Sequence, residues 1–260
     1  MDRLFVAGLF FTDFCRQSTR IFMKETIVFL MLFLLMTGCA DPAPPKVSDD
    51  QLRQIAIRKE NDSLVKLAKS LVKSGDLLLR TGNDYASDEI KAFSKQDKTY
   101  SHGGIAVVDS SGIYVYHIEP DFNYVNDKVR KEPLDSFCDP AKNLGFAIGR
   151  YDLKEEENKS FLLYLQKRFE DKVAFDMSFD LKSDHHMYCS EMIRKGLLSA
   201  TNNRISIKVD KLDDRRKYKL IKQYFKVPEQ RFANMDVVMI DQLYLNPNCT
   251  LIQKFTFKQP

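Results

Sequence analysis

Residues 101–119 constrain the fold more than any other stretch. Ile105–Val108 is an apolar run, Ser110-Ser111-Gly112 has turn composition, and Ile113–Glu119 alternates apolar and polar positions. Two strand patterns joined by so short a turn must lie antiparallel and side by side. In the second strand Val115, His117 and Glu119 share one face, while Tyr114, Tyr116 and Ile118 share the other. The hairpin therefore sets a histidine and a carboxylate beside the strand that His102 opens. Glycine follows His102 directly, which leaves room for another backbone to approach.

The remaining patterns alternate between helix and strand. Leu52, Ile55, Leu64, Leu67, Ala68, Leu71 and Val72 recur at helical spacing over 48–74, with Ser48 as the cap and Gly75-Asp76 as the stop. Leu77–Leu79 reads as a short buried strand, Thr81–Asp84 as a turn, and Glu89–Phe93 as a short helix. Phe146–Tyr151 is a strand, and Glu155–Glu170 is a helix with Phe161, Leu162, Leu165 and Phe169 on one side. Lys211–Lys226 is basic and partly helical, Val237–Ile240 is a strand, and Thr250–Phe257 alternates as an edge strand does. Helices mixed with hairpin-linked strands predict an α+β fold, an antiparallel sheet packed with helices.

Composition excludes several functional classes. The net charge of +4, from 40 basic against 36 acidic residues, is too mild for a nucleic-acid binder, and no Lys/Arg run builds a patch. There is no internal repeat, no P-loop and no GxGxxG. The five cysteines have no zinc spacing. His185-His186, next to Asp184, are adjacent loop residues that point apart and have no second ligand pair at a familiar spacing. No metal and no cofactor is expected. Asp176 and Asp180 have only their spacing to suggest paired-carboxylate chemistry; a substrate-amine contact or a surface role suits them better.

The candidate chemistry centres on Cys189. The polar loop Asp184–His186 gives way there to Met192, Ile193, Leu197 and Leu198 at helical spacing, closed by Gly196 and Asn202-Asn203. A cysteine at a helix N-terminus has backbone N–H groups and the helix dipole to favour its thiolate. Its candidate base is His102. Such a pair is completed by a third polar group that orients the imidazole; His117 and Glu119, on one strand face, both qualify. Tyr188 is a candidate to bind the reacting carbonyl, beside the backbone N–H of Cys189.

Gly75-Asp76-Leu77-Leu78, Ser101-His102-x-Gly-Ile and Tyr188-Cys189-Ser190-Glu191, in that order, resemble the YiiX/YebB-like cysteine hydrolases. These form a circularly permuted papain-like branch of the NlpC-related superfamily, in which the histidine precedes the cysteine. The resemblance covers roughly residues 70–245. It implies a permuted papain-like fold, Cys189 as nucleophile and His102 as base. The family's third residue is often a Glu at the end of the strand after the histidine; here His117 stands in that place, with Glu119 as the alternative.

The N-terminus has its own pattern. Lys24 leads into the apolar run Ile27–Met36, followed by Thr-Gly-Cys39. The run is short for a membrane span and resembles a bacterial lipoprotein signal, with lipid on the Cys39 thiol. Met23-Lys24 is itself a normal start, so residues 1–22 read as an over-extended beginning. The expected organisation is a signal peptide over 1–38, a Pro-rich tether over 39–47 and a hydrolase domain over 48–260, anchored to a membrane of the bacterial cell envelope. Cys138, Cys189 and Cys249 then remain, either as one Cys138–Cys249 disulfide and a free thiol or as three free thiols.

The reading that follows is an exported hydrolase. It would cleave an amide, in a peptidoglycan peptide or an acylated amino acid, through a thioester acyl-enzyme. The alternatives are a lipid ester or acyl-transfer enzyme of the same fold, and a catalytically silent envelope-binding lipoprotein.

Overall fold

The computed structural model describes residues 48–121, 127–212, 222, 225, 227, 229–232 and 235–259. The first half contains α1 (Asp49–Leu71), β1 (Leu77–Gly82), α2 (Tyr85–Phe93), β2 (His102–Asp109), β3 (Gly112–His117), β4 (Arg130–Pro133), α3 (Leu134–Phe137) and β5 (Asn143–Tyr151). The second half contains α4 (Glu155–Glu170), β6 (Ala174–Phe175), β7 (His186–Met187), α5 (Cys189–Ala200) and β8 (Asp210–Leu212). It closes with α6 (Glu229–Phe232), β9 (Met235–Val237), α7 (Ile240–Tyr244) and β10 (Cys249–Thr256). The main sheet has the order β10-β5-β1-β2-β3-β4, with every neighbouring pair antiparallel. The α+β class expected from the hairpins is the class observed. Residues from Asp50 onward form one compact unit, and the expected signal and tether lie outside the described residues.

Strand alternation divides the core in two. Leu77, Leu79, Ile105 and Ala147 point to the side covered by α4, α5 and α7, where they meet Phe161, Leu165, Ile193, Leu197 and Leu243. Leu78, Ala106, Val115 and Phe146 point to the other side and meet Val65 and Ala68 of α1 and Phe137 of α3. Each class of side chain is buried on its own face, so a one-residue slip would exchange them. The register therefore holds His102 opposite Arg80 of β1.

The Gly-Asp-Leu-Leu motif has a structural role. Gly75 has φ +92, a left-handed conformation that suits glycine. Buried Asp76 then accepts the Lys73 N–H at 2.7 Å and both Nε and Nη2 of Arg150 at 2.7 Å. This paired guanidinium–carboxylate contact joins the end of α1 to β5.

The structure departs from the sequence expectations at several elements. Phe169, in the last turn of α4, is 39% exposed, with its ring centroid 5.9 Å from that of Tyr116. Leu52, Ile55 and Leu67 are exposed, and Val65 and Ala68 carry the buried face of α1. The strand expected to reach Ile240 stops at Val237, because the N–H and C=O of Val238 are bonded to Tyr188 and Ser190. The edge strand β4 lacks the apolar alternation that would have announced it. Cys138 and Cys249 are free and sit on opposite faces of the sheet, so they form no disulfide. Lys211 and Leu212 form β8, and most of the basic stretch that follows lies outside the described residues.

Gly196 does not close its helix. It lies inside α5, and Asn202 and Asn203, with φ 48 and 64, follow the helix end. A Cβ at Gly196 would stand 2.6 Å from Cε2 of the buried Phe161 ring. Alanine would gain about 1 kcal/mol of helix propensity, and overlap with a fixed ring costs about 1–3 kcal/mol. Gly196→Ala is expected to lower the urea midpoint; a raised midpoint would show that α4 and α5 do not depend on this contact.

Candidate active site

The residues around Cys189 fix where its helix begins. Tyr188 has extended backbone, φ −101 and ψ 168, and Cys189 is the first helical residue. The Tyr188 hydroxyl accepts the Val238 N–H at 2.8 Å, and the Ser190 hydroxyl donates to the Val238 carbonyl at 2.7 Å. Glu191 accepts the Tyr188 N–H at 3.3 Å, closing the first turn as a cap. Three of the four motif residues thus clamp the fourth in place.

The strand below is shaped to receive it. A Cβ at Gly103 would lie 3.3 Å from Leu243 and 3.6 Å from Ile193, so α5 and α7 approach β2 closely there. The Gly103 backbone faces the Cys189 sulfur and favours its thiolate. Cys189, Tyr188, Ser101, His102 and Glu119 all line one cavity of about 280 Å³. Its remaining walls are largely apolar, with Phe93, Phe175, Phe179, Phe225 and Val237 among them. Phe179 is held at φ 52, a sparsely populated region for a bulky side chain, and its ring centroid lies 4.9 Å from those of Tyr188 and Phe225.

A second row stands behind His102. Its Nε2 is 3.1 Å from Nδ1 of His117, a fully buried residue. Nε2 of His117 is in turn 2.9 Å from a carboxylate oxygen of Glu132, a close contact set off the line of a good hydrogen bond. Both imidazoles pack on Phe137 of α3, with ring centroids 5.8 and 5.1 Å away. Gly104 makes room for this row, since a Cβ there would stand 3.0 Å from Cβ of His117 and 2.5 Å from Val115.

Glu119 lies two residues beyond the end of β3, 3.7 Å from Nε2 of His102. Its carboxylate is taken up by two guanidinium groups, Arg80 on one oxygen and Arg130 on the other. Of the two candidates for a third residue, His117 makes the closer contact with His102. Glu132 was missed in the sequence because the strand that carries it has no pattern. His102 Nε2 or Nδ1, His117 and Glu119 nevertheless offer ligand atoms within 4.8 Å of one another. The set does not fit a cation as it stands: the two ring nitrogens face each other directly, and the carboxylate is already neutralised by two fixed positive charges.

Burial sets the proton affinities. It holds His102 well below the ordinary imidazole value, with Arg80, His117 and Arg130 acting the same way. It lowers His117 to about 4, although Glu132 opposes this. It also raises the Cys189 thiol above its ordinary value, against the N–H groups of Gly103 and Ser190. The resting pair is therefore a thiol and a neutral imidazole, not the thiolate that a helix N-terminus alone suggests; desolvation outweighs the dipole.

The other expected residues fall outside this group. His185 and His186 are exposed, on the β6–β7 ribbon and the turn before it. Asp176 is buried and organises its own loop, accepting from the N–H and hydroxyl of Ser178 at 2.8 and 2.7 Å. Asp180 lies 3.6 Å from Arg231. Cys39 lies outside the described residues.

His117 makes stability depend on pH. The unfolded chain holds a proton on this residue up to about 6.5, and the folded chain only up to about 4. Between these values the unfolded state binds more protons, so stability rises with pH, by about 3 kcal/mol from this group. That stability is present above about 6.5 and lost as pH falls toward 4. The unfolding free energy of the wild type should climb more steeply across this window than that of His117→Gln. Equal slopes would refute a neutral, buried His117.

No protein-family profile matches the sequence, and no curated protein does. Among solved structures the chain is similar to the crystal structure of the metalloprotein YiiX from Escherichia coli O157:H7. Sequence identity is 21%, the TM-score is 0.55, and the match covers 72% of this chain and 98% of that one. The chain has a YiiX-like α+β fold.

Proposed function

We propose that this protein is a cysteine hydrolase of the circularly permuted papain-like type, cleaving an amide through a thioester on Cys189. The observation that carries the reading is the cavity that Cys189 and His102 share, with His102 hydrogen-bonded to a buried His117 at its back. The resting pair being neutral, His102 acts as a general base, taking the thiol proton as sulfur attacks the carbonyl carbon. The Cys189 N–H at the helix N-terminus is the donor for the oxyanion, and the Gly103 and Ser190 backbone favours the sulfur charge. Collapse re-forms the carbonyl and breaks the C–N bond, and the imidazolium of His102 gives its proton to the departing amine. Water, deprotonated by His102, then attacks the thioester and releases the acid and the thiol.

The apolar walls favour a substrate whose acyl part is apolar, an acylated amino acid in preference to a peptidoglycan peptide. An ester of the same acyl group is the near alternative. N-Octanoyl amino acids are a suitable probe. Release of octanoate should vanish in Cys189→Ala and fall by about a hundredfold or more in His102→Ala, with an octanoyl adduct on Cys189 by mass spectrometry. No turnover and no adduct would leave a binding lipoprotein. A second reading rests on the His102–His117–Glu119 cluster and on the name metalloprotein given to the structural neighbour. The same preparation should carry no stoichiometric transition metal; zinc bound one to one, and lost in His102→Ala, would favour that reading instead.

Export and anchoring belong to the same proposal, with a signal over 1–38 and lipid on Cys39, which tethers the hydrolase to the bacterial cell envelope. The apolar run before Thr-Gly-Cys39 supports it. Among the described residues no helix is long and apolar enough to cross a membrane. Cells fed labelled palmitate should label the wild type and not Cys39→Ala; label in both, or in neither, would refute the anchor.

A further inference from the structure

We propose that Glu132, on the edge strand β4, is a positioning residue that fixes the tautomer of His117 and, through it, that of His102. This deepens the hydrolase reading and rests on it, since the purpose of the fixed tautomer is to leave His102 a free base.

The argument is one of proton placement along a chain of acceptors and donors. A carboxylate only accepts. The Glu132 oxygen lies 2.9 Å from Nε2 of His117, where a lone pair would be repelled, so the charge of Glu132 favours the single proton of neutral His117 on Nε2 even though the contact is not linear. Nδ1 of His117 is then a lone pair, and its 3.1 Å partner, Nε2 of His102, must donate. That uses the one ring proton of neutral His102 and leaves its Nδ1 as a lone pair, the form able to take the Cys189 proton. The reverse order is equally good for the two histidines alone. With Nδ1–H of His117 donating to Nε2 of His102, the proton of His102 moves to Nδ1 and no base remains. Glu132 is the group that distinguishes the two orders.

The sheet register puts it there. Val115 pairs with Glu132 and His117 with Arg130, so Glu132 is the diagonal neighbour of His117 on one face. Arg130 lies on the same side of β4 and reaches past His117 to Glu119 at 2.5 Å. The strand thus occupies Glu119 with arginine and leaves Glu132 to His117. The carboxylate of Glu132 is held below its ordinary range, first by its contact with His117 and then by Arg80 and Arg130, so it stays an acceptor.

The test reads the tautomers directly. The chain has 4 histidines, so the ring-nitrogen spectrum of the 15N-labelled protein can be assigned by substitution. In the wild type, Nδ1 of both His102 and His117 should show an unprotonated-type shift and Nε2 a protonated-type shift. In Glu132→Leu the two nitrogens of each ring should average or exchange roles, and Glu132→Asp should restore part of the wild-type pattern. A wild-type His117 protonated at Nδ1, or ring shifts that ignore Glu132→Leu, would overturn the proposal. With N-octanoyl amino acid as probe, kcat should fall about tenfold or more in Glu132→Leu at nearly unchanged KM. Tautomers that switch while kcat holds would also overturn it. If the wild type does not turn the probe over, the hydrolase reading fails on its own, and the spectra still decide the role of Glu132. Thermal unfolding of each variant separates these effects from loss of fold.

Discussion

Two consecutive residues without side chains make the site sterically feasible. Gly103 faces α5 and α7, and Gly104 faces β3. Because neighbouring strand residues point to opposite sides, the pair opens both faces of β2 at one level. Through the first opening α5 and α7 come down on the strand, with Ile193 and Leu243 close over Gly103. Through the second, His117 passes behind His102. A larger residue at either position would separate one component from the rest while leaving the hairpin intact.

Electrostatics then decides the protonation of what sterics brings together. Arg80 lies over the Phe137 ring, donates to the Phe137 carbonyl at 3.2 Å and pairs with Glu119. Arg80 and Arg130, together with burial, make a charged imidazole unfavourable at His102. The two carboxylates divide the labour, with Glu119 balancing the arginines and Glu132 meeting His117. The result is a buried polar row in which the two imidazoles meet as neutral groups, the arginines meet the carboxylate of Glu119, and the carboxylate of Glu132 closes the row at His117.

The sequence was legible where periodicity carries the structure. The β2–β3 hairpin, α4 with its exact span, and the cysteine at the head of α5 followed from apolar spacing and turn residues. So did the edge strand β10, though not its partner β5. His102 and His117 were placed together because a hairpin register is local. Glu132 was not, since β4 reads Arg-Lys-Glu-Pro and exists because β3 has an open side to offer it. The end of β9 was also hidden, because it depends on Tyr188 and Ser190, about fifty positions away. The protonation of Cys189 was misjudged for a similar reason: a helix N-terminus is visible in sequence, and desolvation is not.

β4 is four residues long, lies at the border of the sheet and has β3 as its ladder partner. Such a strand opens at lower free energy than the central β1 and β2. Yet it holds both Arg130 and Glu132, the outer supports of the histidine row. For the hydrolase proposed above, competence and foldedness are therefore different thresholds. Peeling back one border strand disarms the histidines while the core of Leu77–Leu79 and the cysteine helix remain assembled, so the molecule can be native by most measures and still chemically mute.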